Sequence, residues 1–236
     1  MSNKNTLFRF KQFAVDQAGC AMKINTDGVL LGAMAAADDA KRILDVGTGT
    51  GVIALMMAQR YGNSRVEAVE VDAAAAERAA LNFSVSAFSE RMIVHHADIR
   101  SFEAEPFDLV VSNPPYFSND LKNPDARKQL ARHAEPEFFE SLFISVGKLL
   151  NPDGLFWLII PAQQALHVKA AAAQAGLNAV REIAVQSDDT RPVIRKILVF
   201  SHQQQSLQTD VLHIYEEHQR YSAAYRLLLA DFLLAL

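Results

Sequence analysis

Between residues 43 and 200 the chain alternates short apolar runs with longer amphipathic stretches, a pattern of strands separated by crossover helices. Ile43–Val46 reads as a buried strand entering a glycine turn, and Val52–Tyr61 as a helix with Ile53, Met56, Met57 and Arg60 at helical spacing. Val66–Val71 predicts a second strand. Ala73–Phe88 predicts an alanine-rich helix with Leu81, Val85 and Phe88 as its larger apolar positions. Met92–His95 and Phe107–Ser112 predict the third and fourth strands. Glu137–Leu150 reads as a helix, with Pro136 near its first turn and Pro152-Asp153-Gly154 as its stop. Leu155–Ile160 predicts a fifth strand, and Ala162–Ala175 a helix ended by Gly176. Val180–Val185 and Lys196–Phe200 read as a closing pair of strands. The alternation predicts an α/β fold with a doubly wound, mostly parallel sheet. Ser118–Glu135 is polar and charged and reads as a loop that orders on substrate. Tyr215–Leu236 carries Leu227, Leu228, Leu229, Phe232 and Leu233 at helical spacing and reads as a terminal helix packed on the core.

Size and composition narrow the function classes. A chain of 236 residues, half of them hydrophobic, suits one α/β domain with additions and a sizeable core. The net charge of −4 gives no global signature of nucleic-acid binding, so any such site has to be a local basic patch. The single cysteine, Cys20, cannot form an internal disulfide, and no Cys/His set has zinc spacing, so no metal site is expected. These features suit a reducing, cytoplasmic setting. Met1–Lys11 lacks the apolar region of a signal peptide, and no apolar run is long enough to span a bilayer, so no membrane partner is expected.

Two loops carry the chemistry. Asp45-Val46-Gly47-Thr48-Gly49-Thr50-Gly51 joins a strand to a helix, and its spacing is G-x-G-x-G rather than the G-x-G-x-x-G of dinucleotide folds. The helix start offers unpaired N–H groups, while Asp45 would repel a pyrophosphate and attract an ammonium or sulfonium group. That asymmetry favours S-adenosylmethionine over a nicotinamide dinucleotide. About 20 residues on, Glu70 is placed for ribose hydroxyls, with Asp72 as its rival or as the cap of the next helix. Asp98, after the third strand, suits either the cofactor's adenine amino group or a turn cap. The second loop is Asn113-Pro114-Pro115-Tyr116, at the end of the fourth strand. Two prolines cannot continue a strand, so they stiffen a loop that presents an amide, backbone carbonyls and an aromatic face. That set suits a planar group bearing –NH2, either adenine or a carboxamide.

Asp45–Gly51, Glu70, Asp98 and Asn113–Tyr116, in that order, resemble the Rossmann-like class I methyltransferases, and the NPPY sequence places the chain near the amino-group enzymes. Phe8–Phe13, Cys20–Ala33 and the C-terminal Tyr221–Tyr225 with Leu228, Asp231 and Phe232 are similar to the bacterial tRNA1(Val) adenine-N6 methyltransferase family, which modifies A37 beside the anticodon. The resemblance implies a seven-stranded sheet with a reversed final strand and S-adenosylmethionine as cofactor. It implies residues 1–40 as an extension packed on the cofactor and substrate side of a domain over 41–236, one structural unit overall. Lys23 and Asp27 would belong to the cofactor-side N-terminal motif, and Asp45, Gly47, Gly49, Gly51, Glu70, Asp98 and Asn113 to the cofactor site.

For adenine, the Asn113 side-chain oxygen and the Pro114 carbonyl would accept the two N6 hydrogens, and Tyr116 would stack on the base. Phe117 would extend that face or serve the core. The partner expected is a tRNA anticodon loop rather than DNA, for which no target-recognition segment is visible. Candidate phosphate contacts are Lys4, Arg9 and Lys11, then Lys122, Arg127, Lys128 and Arg132, with Arg191, Arg195 and Lys196 as a third group. Rival readings are a protein-glutamine-N5 methyltransferase acting on release factors, an rRNA guanine-N2 methyltransferase, or an RNA-binding protein with a vestigial methyltransferase fold.

Overall fold

The glycine loop and the NPPY loop leave neighbouring parallel strands at the same edge of one sheet. The computed structural model describes residues 6–20, 22–115, 124–217 and 220–235, with side chains described throughout except over 124–135. An N-terminal hairpin pairs β1 (Leu7–Arg9) with antiparallel β2 (Ala14–Asp16). Next come α1 (Thr26–Met34), β3 (Arg42–Val46), α2 (Val52–Arg60), β4 (Arg65–Glu70), α3 (Ala73–Ser84), β5 (Met92–His96) and β6 (Phe107–Ser112). The second half runs α4 (Pro124–Leu149), β7 (Leu150–Pro161), α5 (Ala165–Gln174), β8 (Asn178–Gln186), β9 (Val193–Ser201) and β10 (Gln208–His213). A small hairpin, β11 (Tyr215–Glu217) and β12 (Arg220–Tyr221), leads into α6 (Ala223–Leu229).

The strand order is β10-β8-β9-β7-β6-β3-β4-β5. All neighbours are parallel except β9, which runs antiparallel to both β7 and β8. This is the doubly wound sheet with a reversed strand that the sequence implies, with one strand more. β10 adds parallel to β8 at the edge, so the reversed strand is not the final one. Only Leu212 of β10 is buried, so its sequence carries no alternation to read.

Each face of the sheet buries one apolar cluster, because strands covered on both sides must be apolar on both. On one face α1, α2, α3 and α6 pack with Phe10 and Phe13 of the N-terminal segment, whose rings stack 4.5 Å apart. On the other, Phe139, Leu142, Phe143 and Val146 of α4 meet Val168, Ala171 and Ala172 of α5. Phe10, Phe13, Val15 and the buried residues of α1 therefore share a core with α2.

Several boundaries differ from expectation. Helix α4 starts at Pro124, so the expected loop gives way to helix over 124–135, and 118–123 lie outside the described residues. Pro136 sits inside that helix, where it has no N–H to donate. Pro152-Asp153-Gly154 lies within β7 and coincides with a register shift against β6 rather than a break between elements. Helix α3 ends at Ser84. It buries Ala79, Asn82 and Phe83 and exposes Leu81, with Val85 exposed just beyond its end. The terminal helix is short, exposes Leu227 and buries Leu229, with Phe232 buried just beyond it. The Phe232 carbonyl accepts from the Lys11 amide at 2.8 Å, and Lys11 Nζ donates to Ala230 O.

Candidate active site

The glycine loop turns on backbone conformations that side chains resist. Gly47, Gly49 and Gly51 all have positive φ. At Gly49, with φ +56°, nothing lies within 4 Å of where a Cβ would project, so the loop's outer face is open. Gly51, with φ +83°, caps α2, and a Cβ there would come within 2.6 Å of Phe83 Cε1. Asn82 braces the loop from α3: its Nδ2 donates to Thr50 O at 2.9 Å and to Asp16 O at 3.0 Å, while its Oδ1 accepts from the Asp16 amide at 2.9 Å. Picking out Leu81, Val85 and Phe88 as the larger apolar positions of this helix passes over Asn82. A lone asparagine in an alanine-rich helix is the signal that marks it.

Asp45 is fully buried at the end of β3. Its Oδ2 accepts from Thr48 Oγ1 at 2.6 Å and from the Ala54 amide at 3.1 Å, which ties the turn to the first residues of α2. Its Oδ1 is buried with no hydrogen-bond partner. Burial pushes this carboxyl up to about 7, against the pull of the Thr48 and Ala54 bonds, and repulsion from Glu70 adds to the rise. A buried carboxylate with one oxygen unmatched is costly until a cation or donor arrives. The open glycine face beside it and the anionic pair Asp45 and Glu70 therefore fit S-adenosylmethionine, which carries an ammonium and a sulfonium group.

Glu70 ends β4 and faces that loop. Its Oε2 accepts from the Gly49 amide at 2.9 Å and its Oε1 from the Asp72 amide at 3.0 Å. Asp72 caps α3 by accepting from the Ala75 amide at 2.8 Å, which is the capping alternative foreseen for it. Between them Val71 is two-thirds exposed, an apolar side chain at the carboxyl edge that sequence reasoning passed over. Asp98 follows β5 on the same edge. Its Oδ1 accepts from the Arg100 amide at 2.9 Å and its carboxylate pairs with the Arg100 guanidinium, so it forms the turn cap named as its alternative. Hydrogen bonds from Arg100 hold its carboxyl below the ordinary range.

Val46 and Ser112 are register partners at the ends of β3 and β6, so Gly47 and Asn113 start their loops side by side. Ser112 Oγ donates to Val46 O at 2.9 Å. Asn113 is half-buried, Pro114 buried and Pro115 exposed. The first turn of α1 backs Asn113: Asn25 caps the helix by accepting from the Gly28 amide at 2.9 Å, and a methyl built on Gly28 would lie 3.6 Å from Asn113 Nδ2. Asp27, in the same turn, pairs with Arg195 of β9 at 2.8 Å, and Lys23 is exposed just before the helix. Tyr116 and Phe117 lie outside the described residues.

The basic groups divide. Arg9 is exposed on β1, whereas the Lys11 ammonium is bonded to the Ala230 carbonyl. Lys4 and Lys122 lie outside the described residues, and the side chains of Arg127, Lys128 and Arg132 are outside them too, on the first turns of α4. In the third group Arg191 is exposed, but Arg195 is paired with Asp27 and Lys196 with Glu182. A cleft of about 730 Å³ lies at the opposite edge of the sheet, lined by Asp108, Asn151, Trp157, Arg181 and Gln203 among others. It contains none of the loop residues above and is no part of this site.

Comparison with known proteins gives a consistent result. Residues 21–187 match the family model "Methyltransferase small domain". A protein of Pedobacter heparinus named tRNA1(Val) (adenine(37)-N6)-methyltransferase is 49% identical over 229 residues, 97% of this chain and 98% of that one. A protein of the same name from Phocaeicola vulgatus is 42% identical over 231 residues, 98% of each chain. Among solved structures, a predicted O-methyltransferase of Agrobacterium tumefaciens superposes with a TM-score of 0.71 at 21% identity, over 87% of this chain and 96% of that one. That likeness bears on the fold alone.

Proposed function

The chain belongs to the tRNA1(Val) (adenine(37)-N6)-methyltransferase family, and from that premise we propose that it methylates N6 of adenine 37 in the anticodon loop of tRNA1(Val), in the cytoplasm where that RNA resides. The observation that carries the reading is the shared edge: a glycine loop flanked by a buried, half-matched carboxylate lies one strand away from Asn113-Pro114.

When bound, S-adenosylmethionine supplies an activated methyl group on sulfur. Asp45 would face its ammonium and Glu70 its ribose hydroxyls, while Gly47, Gly49 and Gly51 let the backbone approach. Asp27 lies near the same edge through its pair with Arg195, and Lys23, just before that helix, would serve the cofactor from the N-terminal side. Val71 offers an apolar face beside Glu70 for a purine ring. On the acceptor side, adenine N6 is a weak nucleophile because its lone pair is delocalised into the ring. Asn113 Oδ1 and the Pro114 carbonyl accept the two N6 hydrogens, which draws the nitrogen towards a tetrahedral geometry and aims its lone pair. Tyr116 stacks on the base. Placing the base in line can supply about 7–11 kcal/mol of the barrier reduction. Extruding a loop base costs a few kcal/mol and stacking returns about 1–3, so phosphate contacts complete the balance.

The test is nucleoside mass spectrometry of tRNA incubated with the protein and S-adenosylmethionine. N6-methyladenosine in a single valine isoacceptor is the expected product. Methylglutamine on a release factor, or N2-methylguanosine in rRNA, with unmodified tRNA would replace the reading.

A further inference from the structure

The first turn of α1 is held from two sides. Asn25 caps it from within the chain, and Arg195 grips it from across the sheet through Asp27. The two residues of the ion pair are 168 positions apart, and their side chains are 14% and 28% exposed. Arg195 Nη1 also donates to the Ile194 carbonyl at 3.0 Å, so its own strand orients the guanidinium. Arg195 is the register partner of Pro161 at the end of β7, and β7 pairs with β6, whose last residue precedes Asn113. Gly28 follows Asp27 directly, and its bare Cα faces the Asn113 amide. One ion pair thus connects the reversed strand to the helical turn behind the acceptor-binding asparagine.

We infer that Arg195 is a positioning residue for methyl transfer: through Asp27 it fixes the first turn of α1 and with it the Asn113 side chain, rather than meeting an RNA phosphate. The inference rests on the reading of Asn113 as the group that grips adenine. The physical need is plain. A partly buried ion pair holds two side chains in one geometry, so removing either partner loosens the turn that the pair fixes, at a modest cost in stability. A turn released in that way lets the amide drift, and about 1 Å of misplacement can cost on the order of 10²-fold in rate.

The test compares Arg195→Met, Asp27→Asn, their double variant and Arg195→Lys with the wild type on tRNA1(Val). Each single variant should lose about 10–100-fold in kcat. For the two Arg195 single variants cofactor Kd, KM for tRNA and melting temperature should stay close to wild type. The double variant should lose no more than either single one, since the same unit is removed in each. Arg195→Lys keeps the charge without the planar fork and should fall between. The inference is overturned if Arg195→Met raises KM and flattens the salt dependence while Asp27→Asn is silent, the behaviour of a phosphate contact. Losses that multiply in the double variant, or a melting temperature that falls in step with kcat, would overturn it as well. An inactive wild type removes both this inference and the functional reading, whereas an active wild type with silent variants removes only this one.

Discussion

Ser112 Oγ donates to the carbonyl of Val46 across 2.9 Å, and this buried side-chain bond reinforces the ladder between the strand that ends in the glycine loop and the strand that ends before Asn113. Both residues are held in parallel register, so the bond ties the starts of the two loops together. Ser112→Ala should cost about 1 kcal/mol of stability. It should lower kcat more than it weakens cofactor binding, as single-turnover assays beside calorimetry would show. A loss confined to cofactor affinity would mean that the bond serves the glycine loop alone.

Asn113→Ala removes the proposed acceptor for an N6 hydrogen. Methyl transfer should drop by at least about 10²-fold, the scale seen when one preorganised polar partner of a reacting group is deleted. Cofactor binding by calorimetry should be spared. Full activity in a radiolabelled-methyl assay would contradict the mechanism.

Glu70 and Asp72 are two residues apart and should separate cleanly. Glu70→Ala deletes a carboxylate that faces the glycine loop and should weaken cofactor affinity by roughly 10–100-fold, the scale of one or two hydrogen bonds to a charged group. Asp72→Ala deletes a helix cap and should lower stability by about 1 kcal/mol with cofactor affinity kept. The reverse pattern would make Asp72 the ribose partner.

Asp45 should make cofactor binding pH-dependent. Its folded value of about 7 lies above the ordinary 3.8, because burial disfavours the charge. The stability this group contributes to the ligand-free protein is therefore complete below about pH 4 and lost as pH rises through about 7. A cofactor ammonium favours the carboxylate, so binding should release a proton near neutrality and tighten as the pH climbs through 7. Calorimetry in buffers of different ionisation enthalpy measures that release. Asp45→Asn should abolish it, weaken binding and raise the ligand-free melting temperature at alkaline pH. Proton release unchanged in Asp45→Asn would locate the titrating group elsewhere.

Arg9 stands exposed on the N-terminal hairpin, whose second strand is bonded through Asn82 to the glycine loop. Arg9→Glu should weaken tRNA binding and reduce the slope of log K against log salt by about one. An unchanged slope in filter-binding titrations would take the hairpin out of the RNA interface.

The doubly wound sheet was legible because its central strands are apolar on both faces and end in turn signals, as Ile43–Val46 and Phe107–Ser112 do. β10, which meets solvent along most of its length, was not, since it carries no alternation, and the first half of α4 carries no apolar stripe in its sequence. The glycine loop, Asp45, Glu70 and Asn113 could be placed at neighbouring strand ends because each belongs to a short local motif. The contacts of Asn82, Ser112 and Arg195 could not be read, because each acts through a partner far away in sequence: Asn82 with Asp16, Ser112 with Val46, and Arg195 with Asp27. Phosphate contacts are the least legible, since an exposed cation and one spent on a carbonyl, as Lys11 is, look alike in a sequence.

The tether from Lys11 to Ala230 joins positions 219 residues apart. During translation the hairpin is made more than two hundred residues before its partner, so it has to wait for Ala230 before that anchor exists. A nascent polypeptide stalled before Ala230 therefore carries the hairpin that Asn82 ties to the glycine loop without its second fastening.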